Sequence, residues 1–191
     1  IFLRGFTYDD FDSLFEILSD PEVMKYYPKP FDAERVKGWI EWNLQNYKQY
    51  GFGLWAVCLK DSGKMIGDCG ITIQNIDGEL LPEIGYHMHK DFWCQGFATE
   101  AAAAVRDWAY ENTKYDCLYS YMKYSNVPSC KTSQKIGMKK LKEYKISSTL
   151  FYVSAVLFLG FGIYLCVHIF AHADGCTCTH HHTPACATSH H

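Results

Sequence analysis

The stretch Phe92–Tyr110, FWCQGFATEAAAAVRDWAY, places a glycine and small residues directly before a long alanine-rich run. The first backbone N–H groups of a helix have no partner within the helix, and the helix dipole adds partial positive charge there. Gly96 lets the backbone approach an anion closely, and Thr99 can add a hydroxyl donor. The stretch therefore predicts a phosphate-binding helix start, although close packing of small residues alone explains the same pattern.

Composition and charge restrict the class of protein. The chain has 191 residues, of which 48% are hydrophobic and 16% aromatic, and its formal net charge is −3. This size suits one domain with an appendage, and the balance of charge gives no basic footprint for a nucleic acid. After Lys145 the only formally charged side chain is Asp174, so the composition changes near residue 145.

The first part of the chain has the features of a cytoplasmic protein. Its five cysteines are scattered, with no spacing typical of a disulfide framework or a metal site, which favours reduced thiols. No secretory signal is visible, so we expect a cytoplasmic location. The chain starts at Ile1 without a methionine, inside a strand-like run, and we expect it to be a fragment.

Helical and strand-like patterns alternate up to residue 145. Helical spacing follows Thr7 and Asp32, and a short helix is predicted over Pro128–Ile136. Five runs have the composition of strands: GLWAVCLK, KMIGDCGITI, PEIGYHMH, CLYSYMKY and MKKLKEYK. Helices placed among strands in this way predict a layered α/β (α+β) domain.

Two motifs in this order resemble the GNAT N-acetyltransferases. EIGYHMHKDFWCQGFATEAA begins at Glu83, and NVPSCKTSQKIGM begins at Asn126. Together with the opening LRGFTYDDFDSLFEILSDPEVMKYY, they are most similar to the RimJ/RimL-type branch, which acetylates protein N-termini or small amines. The resemblance covers about residues 1–145 and implies the GNAT fold, a central mixed sheet flanked by helices.

The resemblance implies that acetyl-CoA is the co-substrate and that no metal is required. The loop from Trp93 to Ala98 would wrap the pyrophosphate, and the strand from Tyr86 to His89 would pair with the pantetheine arm, which Asn126 also binds. The implied cofactor-binding residues are Tyr86, His87, Met88, His89, Trp93, Cys94, Gln95, Gly96, Phe97, Ala98, Thr99, Asn126 and Ser129.

Catalytic roles follow from the same resemblance. Many members of the family use a tyrosine as general acid, but the matching position here is Ser133, so Ser129 is the candidate acid. Glu83 matches a residue that deprotonates the amine through water in some relatives. The backbone amide of Met88 is the candidate donor to the thioester carbonyl. Structural roles remain open as alternatives. Ser129 also suits a helix cap, and Glu83 also suits the exposed end of a strand.

Two further groups of residues are candidates for the acceptor side. His87 and His89 alternate along a predicted strand, and because histidine is the side chain suited to proton transfer near neutral pH, either is a candidate base, although structural histidines are more common. Substrate choice is expected in the first two helices and the loop between them. The candidate acceptor-binding residues are Tyr26, Tyr27, Phe31 and Trp39, for which a place in the core is the alternative.

The C-terminal part departs from the family pattern. In place of the expected last strand, 22 residues from Leu150 to Ala171 carry no formal charge. As a helix they would span roughly 33 Å, which is enough for a bilayer core, although LFYVSAVLFL also suits a strand donated to the sheet. The cysteines and histidines beyond Asp174 can bind zinc or copper, but their spacing fits no standard site, so we predict a disordered tail without metal.

The sequence is therefore divided into a domain over 1–145 that lacks its last strand, a hydrophobic segment over 146–174 and a tail over 175–191. The segment is either a membrane anchor over 150–171 or the product of a reading-frame error. The predicted function is transfer of an acetyl group to a primary amine by direct attack in a ternary complex. Alternatives are a non-catalytic acyl-CoA-binding domain and a membrane-tethered interaction protein. Neither the amine nor the oligomeric state follows from the sequence.

Overall fold

The computed structural model describes residues 1–76, 78–146, 149–159 and 163–165. They contain four α-helices, which are α1 (Phe11–Leu18), α2 (Ala33–Tyr50), α3 (Phe97–Asn112) and α4 (Val127–Lys135). The strands are β1 (Phe2–Arg4), β2 (Leu54–Cys58), β3 (Met65–Ile76), β4 (Glu79–Met88), β5 (Cys117–Lys123), β6 (Lys139–Ile146), β7 (Thr149–Leu159) and β8 (Ile163–Leu165). The predicted layered α/β fold, with a mixed sheet flanked by helices, is confirmed.

Helix boundaries follow local signals in the sequence. Thr7 and Asp10 form the predicted capping box ahead of α1, through the short 3-10 turn Tyr8–Asp10. The Asp32 side chain accepts a hydrogen bond from the amide of Arg35 at the start of α2. This helix ends at Gly51, which has a φ of 79° and so adopts the left-handed conformation that glycine tolerates best.

The strand order is β1-β2-β3-β4-β5-β7-β6, with β8 paired to β7. Every pairing is antiparallel except that of β4 with β5, which is parallel. β3 and β4 pair over ten positions, from Gly67 opposite Met88 to Ile76 opposite Glu79. The long β3 therefore holds one edge of β4 in place along its length. The other edge of β4 faces its parallel neighbour, β5.

Two apolar clusters lie on opposite faces of this sheet. On one face, buried alanines of α3, Ala101, Ala102 and Ala109, pack with Ile84 and Leu118 of the sheet. Their small side chains let α3 lie close to the sheet, which accounts for the alanine-rich run. The other face is covered by α1 and α2.

The second cluster joins those two helices to the first strands. Leu14 and Leu18 of α1 and Val36 and Ile40 of α2 are buried with Leu54 of β2. Each of these side chains is no more than 2% exposed. The sheet is thus the middle of three layers, and β4 contacts a different helical layer on each of its faces.

The expectation that the sheet lacks its last strand is wrong for the described residues. Thr149–Leu159 forms β7, which pairs with β5 from Cys117 opposite Leu157 to Lys123 opposite Phe151. On its other side β7 pairs with β6. The alternative of a strand donated to the sheet is therefore correct here, because aromatic and β-branched residues suit a strand flanked on both sides.

A membrane helix over 150–171 is correspondingly not formed at its first ten positions, which belong to β7. Within the part of the chain that the structure describes, no helix has the length and apolarity needed to cross a membrane. The remainder of that segment beyond Leu165, and the cysteine- and histidine-rich tail, lie outside the described residues.

Candidate active site

A gap opens between β4 and β5. The two strands share one paired position, Glu83 with Tyr119, whereas β5 pairs with β7 along its whole length. Beyond Glu83, towards Met88, no further pair joins the described residues of the two strands. A parallel pair normally continues as an even ladder of hydrogen bonds, so its interruption leaves backbone groups of β4 without strand partners.

The alternation of the antiparallel ladder decides which groups face this gap. The amide of His89 donates to Ile66 O at 2.8 Å, and His87 lies opposite Asp68. The odd-numbered residues therefore direct their backbone groups towards β3, and Tyr86 and Met88 direct theirs towards β5. The amides of His87 and His89 are thus used inside the fold, and a role of these two residues in cofactor binding stays a prediction.

The loop after β4 is fastened to the strand by Trp93. Its indole Nε1–H donates to Met88 O at 2.8 Å, and the ring packs against the apolar cluster on that face. The carbonyl of Met88 is thus occupied, which leaves its amide facing the gap. Trp93 was predicted to bind the cofactor, and the structure gives its indole nitrogen a role in positioning the loop.

The start of α3 has the geometry of an anion site. Gly96 is the N-cap, with a φ of 90°, and no side chain caps the helix. A Cβ built at Gly96 would meet nothing within 4 Å, so the space in front of the loop is open. The first-turn amides of Phe97, Ala98 and Thr99 lack intrahelical partners and lie at the positive end of the helix dipole.

Cys94 is the other unusual backbone position in this loop. Its φ is 60°. Among the residues that the structure describes, it is the one non-glycine residue with a positive φ. Such conformations cost about 1 kcal/mol or more and are concentrated at functional sites. Gln95 side-chain Nε2 donates to Asp91 O at 2.9 Å and bridges the loop. The residues from Trp93 to Thr99 therefore form one preformed cradle.

The start of α4 lies across the gap from β4. Asn126 Oδ1 accepts a hydrogen bond of 3.2 Å from the amide of Ser129 and caps this helix. The Tyr86 hydroxyl donates to Ser129 O at 2.9 Å and lies 3.0 Å from Ser129 Oγ. Burial raises the pKa of Tyr86 above its usual value, so this phenol keeps its proton at neutral pH.

Ser133 occupies the position of the family tyrosine and has a structural role. Its side chain is fully buried, and its hydroxyl donates to Cys130 O at 2.9 Å within the helix. It faces no open space and cannot deliver a proton to a ligand in the gap. Of the two serines, Ser129 is the one that the structure places beside β4.

Glu83 marks the point where β4 and β5 separate. Its Oε1 accepts a hydrogen bond of 3.0 Å from the amide of Tyr121. Burial raises the pKa of Glu83 to about 7, against the opposing effects of the Tyr121 amide and the His87 charge. A carboxyl with a pKa near neutrality, partly exposed at the mouth of a gap, is suited to act as a general base.

His87 lies on the same face of β4 as Glu83 and belongs to a buried polar chain. Its Nδ1 is 2.8 Å from Asp68 Oδ1, and its Nε2 is 2.7 Å from the Tyr27 hydroxyl. Burial lowers the pKa of His87, but Asp68 and Tyr27 outweigh it and raise the value to about 10. A histidine that is already protonated at neutral pH cannot accept the amine proton, so Glu83 is the better candidate base.

His89 does not join this group. It is buried, with Nε2 at 3.3 Å from Glu16 Oε1, and its Nδ1 accepts from the amide of Asp91 at 3.2 Å. It therefore ties α1 to the loop that follows β4. The alternative of a satisfied structural histidine holds for His89, and the hypothesis that it is a base is not supported by this geometry.

The predicted acceptor residues are divided between surface and core. Trp39 and Tyr27 pack near His87, with ring centres 6.1 and 5.4 Å from the imidazole, and Tyr27 is 38% exposed. Phe31 is only 2% exposed and belongs to the core, because both aromatic neighbours pack on its ring. Tyr26 contacts Lys25, whose Nζ lies 5.2 Å from the ring centre.

Sequence reasoning missed Asp68 and the partnership of Tyr86 with Ser129. Asp68 lies in the middle of β3, where its neighbours are buried and it is 0% exposed itself. An acid inside an otherwise apolar strand is rare unless it is paired, and this was the available signal. The Tyr86 contact spans 43 positions of the chain and has no local signature.

Comparison with known proteins agrees with this geometry. Residues 1–139 match the acetyltransferase (GNAT) domain family. The chain is 35% identical over 137 residues to the uncharacterized protein YkkB of Bacillus subtilis, which is 71% of this chain and 80% of that protein. It is 28% identical over 142 residues to the uncharacterized N-acetyltransferase YnaD of the same organism, covering 73% and 79% of the two chains.

Solved structures share the fold. A GNAT-family acetyltransferase from Bacillus anthracis aligns over 81% of this chain and 93% of its own, with 26% identity and a TM-score of 0.69. A ribosomal-protein-S5-alanine acetyltransferase from Vibrio fischeri has 16% identity, coverages of 83% and 93% and a TM-score of 0.70. The aminoglycoside acetyltransferase AAC(6′)-Ib in complex with coenzyme A has 13% identity, coverages of 81% and 93% and a TM-score of 0.68.

Proposed function

The chain belongs to the GNAT acetyltransferase family and is an acyltransferase that uses acyl-CoA, and we propose that it transfers the acetyl group of acetyl-CoA to a primary amine by direct attack in a ternary complex. The observation that carries this proposal is Glu83, a carboxyl with a pKa of about 7 at the opening between β4 and β5. It lies on the strand whose Tyr86 backbone and Met88 amide face this opening.

The cradle and the gap suit acetyl-CoA. The free first-turn amides of α3 and the open space at Gly96 accommodate a pyrophosphate, which the helix dipole favours. The backbone groups of Tyr86 that face the gap offer hydrogen bonds to the amides of a pantetheine arm. Asn126 uses its oxygen to cap α4, so its amide nitrogen is available to the same arm. Bound acetyl-CoA supplies the thioester.

Glu83 acts as the general base. An amine must lose a proton to attack a thioester, and a base with a pKa near the working pH removes it most efficiently. Glu83 is anchored by the Tyr121 amide where β4 and β5 part, and it takes the proton through an intervening water. The pKa of about 7 makes a substantial fraction of Glu83 ionised at neutral pH.

Met88 and Ser129 act on the thioester and on the leaving thiolate. The amide of Met88 faces the gap and donates to the developing oxyanion, because its carbonyl is already held by Trp93. Ser129 Oγ protonates the departing thiolate and regains a proton from solvent, while the Tyr86 hydroxyl, 3.0 Å away, holds the serine in place. Burial raises the pKa of Tyr86, so this hydroxyl keeps its own proton throughout.

We further propose that the protein belongs to the RimJ/RimL-type branch and acts on a protein N-terminus, an amino acid or a small amine. Three stretches of sequence support this proposal. They are the motifs at Glu83–Ala102 and Asn126–Met138 and the opening of the chain, LRGFTYDDFDSLFEILSDPEVMKYY. The Vibrio fischeri ribosomal-protein acetyltransferase shares the fold, but at 16% identity it does not specify the acceptor.

The test is the pH dependence of acetyl transfer in wild type and Glu83→Gln. We expect the wild-type kcat to rise with pH below about 7 and to level off above it, since only ionised Glu83 accepts the proton. Glu83→Gln should lower kcat by about 100-fold, the lower end for a lost general base, and should remove this inflection. Turnover is measured with acetyl-CoA and amines of different pKa. An inflection caused by ionisation of the amine shifts with the pKa of the amine, whereas one caused by Glu83 stays near pH 7.

Ser129→Ala is the matched variant. It should lower kcat while keeping the inflection near pH 7, because Glu83 is intact. Both variants should bind acetyl-CoA with near wild-type affinity. An unchanged pH profile in Glu83→Gln would exclude Glu83 as the base, and failure of the wild type to bind acetyl-CoA would overturn the proposed function itself.

A further inference from the structure

Asp68 accepts three hydrogen bonds while fully buried. Its Oδ1 receives the amide of His87 at 2.9 Å and lies 2.8 Å from His87 Nδ1, and its Oδ2 receives Trp39 Nε1 at 3.4 Å. Two of these donors are N–H groups that can only donate. A side chain that is 0% exposed and accepts on both oxygens is an ionised carboxylate.

A buried carboxylate needs a cation in contact with it. His87 is that partner, since its ring is buried and its Nδ1 directly faces Asp68. Burial lowers the pKa of His87, but the neighbouring Asp68 and Tyr27 raise it to about 10, which agrees with an imidazolium at neutral pH. Both ring nitrogens of His87 therefore carry hydrogen and both donate.

The second donor determines the orientation of Tyr27. Nε2–H of His87 lies 2.7 Å from the Tyr27 oxygen and donates to it, so the hydroxyl hydrogen of Tyr27 must point away from His87. Tyr27 is 38% exposed, whereas the two residues behind it are buried. The hydroxyl is thus a hydrogen-bond donor directed from a buried ion pair towards the open side.

We propose that Tyr27 is a specificity-determining residue, which donates a hydrogen bond to an oxygen of the acceptor close to its reacting amine, and that His87 and Asp68 are the residues that position it. This inference rests on the proposed function, because it assigns the acceptor to this face of β4. Amines that carry a carbonyl or carboxylate oxygen near the nitrogen are the class that such a donor selects.

The spacing along β4 supports this assignment. Glu83 and His87 lie on one face of the strand, four residues and roughly 13 Å apart. Gly85 stands between them and adds no side chain to this face, where a Cβ would meet Leu54 at an ordinary contact distance of 4.0 Å. A small acceptor can therefore place its amine towards Glu83 and its oxygen towards Tyr27.

The Tyr27 side chain is also held in place by packing. Its ring meets Phe31 edge-on, with 6.0 Å between the ring centres, and Phe31 is buried. Because the hydroxyl and the ring are both fixed before the acceptor arrives, little conformational entropy is lost on binding. The positive charge of His87 behind the hydroxyl strengthens its donation to an anionic or carbonyl oxygen.

The test uses matched pairs of acceptors in wild type and Tyr27→Phe. Each pair is an amino acid amide and the amine that lacks its carboxamide, such as phenylalaninamide and 2-phenylethylamine. We expect the wild type to prefer the amide by at least tenfold in kcat/KM, and Tyr27→Phe to abolish that preference. The loss in kcat/KM should fall mainly on the amide, so that both members of the pair are used about equally by Tyr27→Phe. Tyr8→Phe, at an exposed tyrosine in the turn before α1, should keep the wild-type preference.

A second measurement reports on His87 directly. In ¹⁵N-histidine-labelled protein at pH 7, both ring nitrogens of His87 should be protonated, with the signals assigned by their absence in His87→Gln. A neutral ring would overturn the proposal, since Tyr27 would then donate to His87. A wild type without preference for the amides, or that acetylates neither member of any pair, would also overturn it. If such a protein still binds acetyl-CoA and acetylates other amines, the proposed function survives.

Discussion

The two faces of β4 perform different tasks with different chemical groups. Towards α3 and α4 point the side chains of Tyr86 and Met88, which contribute mainly to packing and to the hold on Ser129, while the backbone groups of the same residues point into the gap beside β5. Towards α1 and α2 it carries charged side chains, Glu83 and His87. The first face relies on groups that any sequence provides, and the second on residues that distinguish one acceptor from another.

This difference has a physical reason. The proposed cofactor is the same for every acceptor, so a strand edge and a helix start can bind it with few specific side chains. An acceptor must be recognised by placed donors and acceptors, and these require buried support such as the Asp68–His87 pair. The faces are therefore expected to respond differently to substitution, and three further changes test that.

The largest effect is expected from Gly96→Glu on the cofactor face. The new carboxylate would occupy the open space in front of α3 and repel phosphate, and the positive φ of 90° adds backbone strain of about 1 kcal/mol. We expect CoA affinity to fall by at least 100-fold in isothermal titration. Gly63→Glu is the control, because Gly63 also has a positive φ, of 70°, and open space, but lies in the turn before β3.

An equal loss of CoA affinity in both glycine variants would indicate misfolding. Full CoA affinity in a folded Gly96→Glu protein would show that the loop is not part of the cofactor site. The acceptor face should be intact in this variant, so the ¹⁵N signals of His87 should match those of the wild type.

A smaller effect, on stability, is expected from the charge pair of the acceptor face. The folded-state pKa of His87 is raised from its ordinary 6.5 to about 10. The stabilisation that protonated His87 provides is therefore complete below pH 6.5 and is lost as the pH rises towards 10. The free energy of unfolding of the wild type should exceed that of His87→Gln by a few kcal/mol at pH 6, consistent with breaking a buried pair, and by much less at pH 10.

Urea unfolding of both proteins between pH 6 and 10 measures this convergence. The groups that face His87 are Asp68, Tyr27 and Glu83, and since Glu83 titrates near pH 7, the range above pH 8 isolates His87. Tyr86→Phe on the cofactor face is the control, because the raised pKa of Tyr86 lies above this range. Its curve should run parallel to the wild type, and parallel curves for His87→Gln would contradict the ion pair.

The sequence predicted the parts of the site that depend on local chain geometry. The helix start after Gly96, the helix after Asp32 and the short helix near Pro128 all follow from short-range signals, and all are found in those places. Glu83 was identified through the family motif, but its pKa depends on burial between two strands, which no local pattern reveals.

What the sequence could not supply depends on contacts between distant residues. The pairing of Asp68 with His87 follows from the register of β3 with β4, and Tyr27 reaches His87 across 60 positions. β7 was misjudged for a related reason. A run of 22 uncharged residues satisfies the length of a membrane helix, while its first part is used as a strand between β5 and β6.

The smallest effect is expected from Asn126→Ala, which affects the cofactor face alone. Loss of the cap on α4 should cost about 1 kcal/mol of stability, because the amide of Ser129 loses its partner at 3.2 Å. If the free side-chain nitrogen binds the pantetheine arm, the KM for acetyl-CoA should rise a few-fold while kcat at saturation stays near wild type. Asn75→Ala is the control, since Asn75 accepts a similar bond from the amide of Gly78 at 2.9 Å in a distant hairpin. A fall in kcat with an unchanged KM would show instead that Asn126 acts through Ser129, and would join the helix cap to the proton-transfer step.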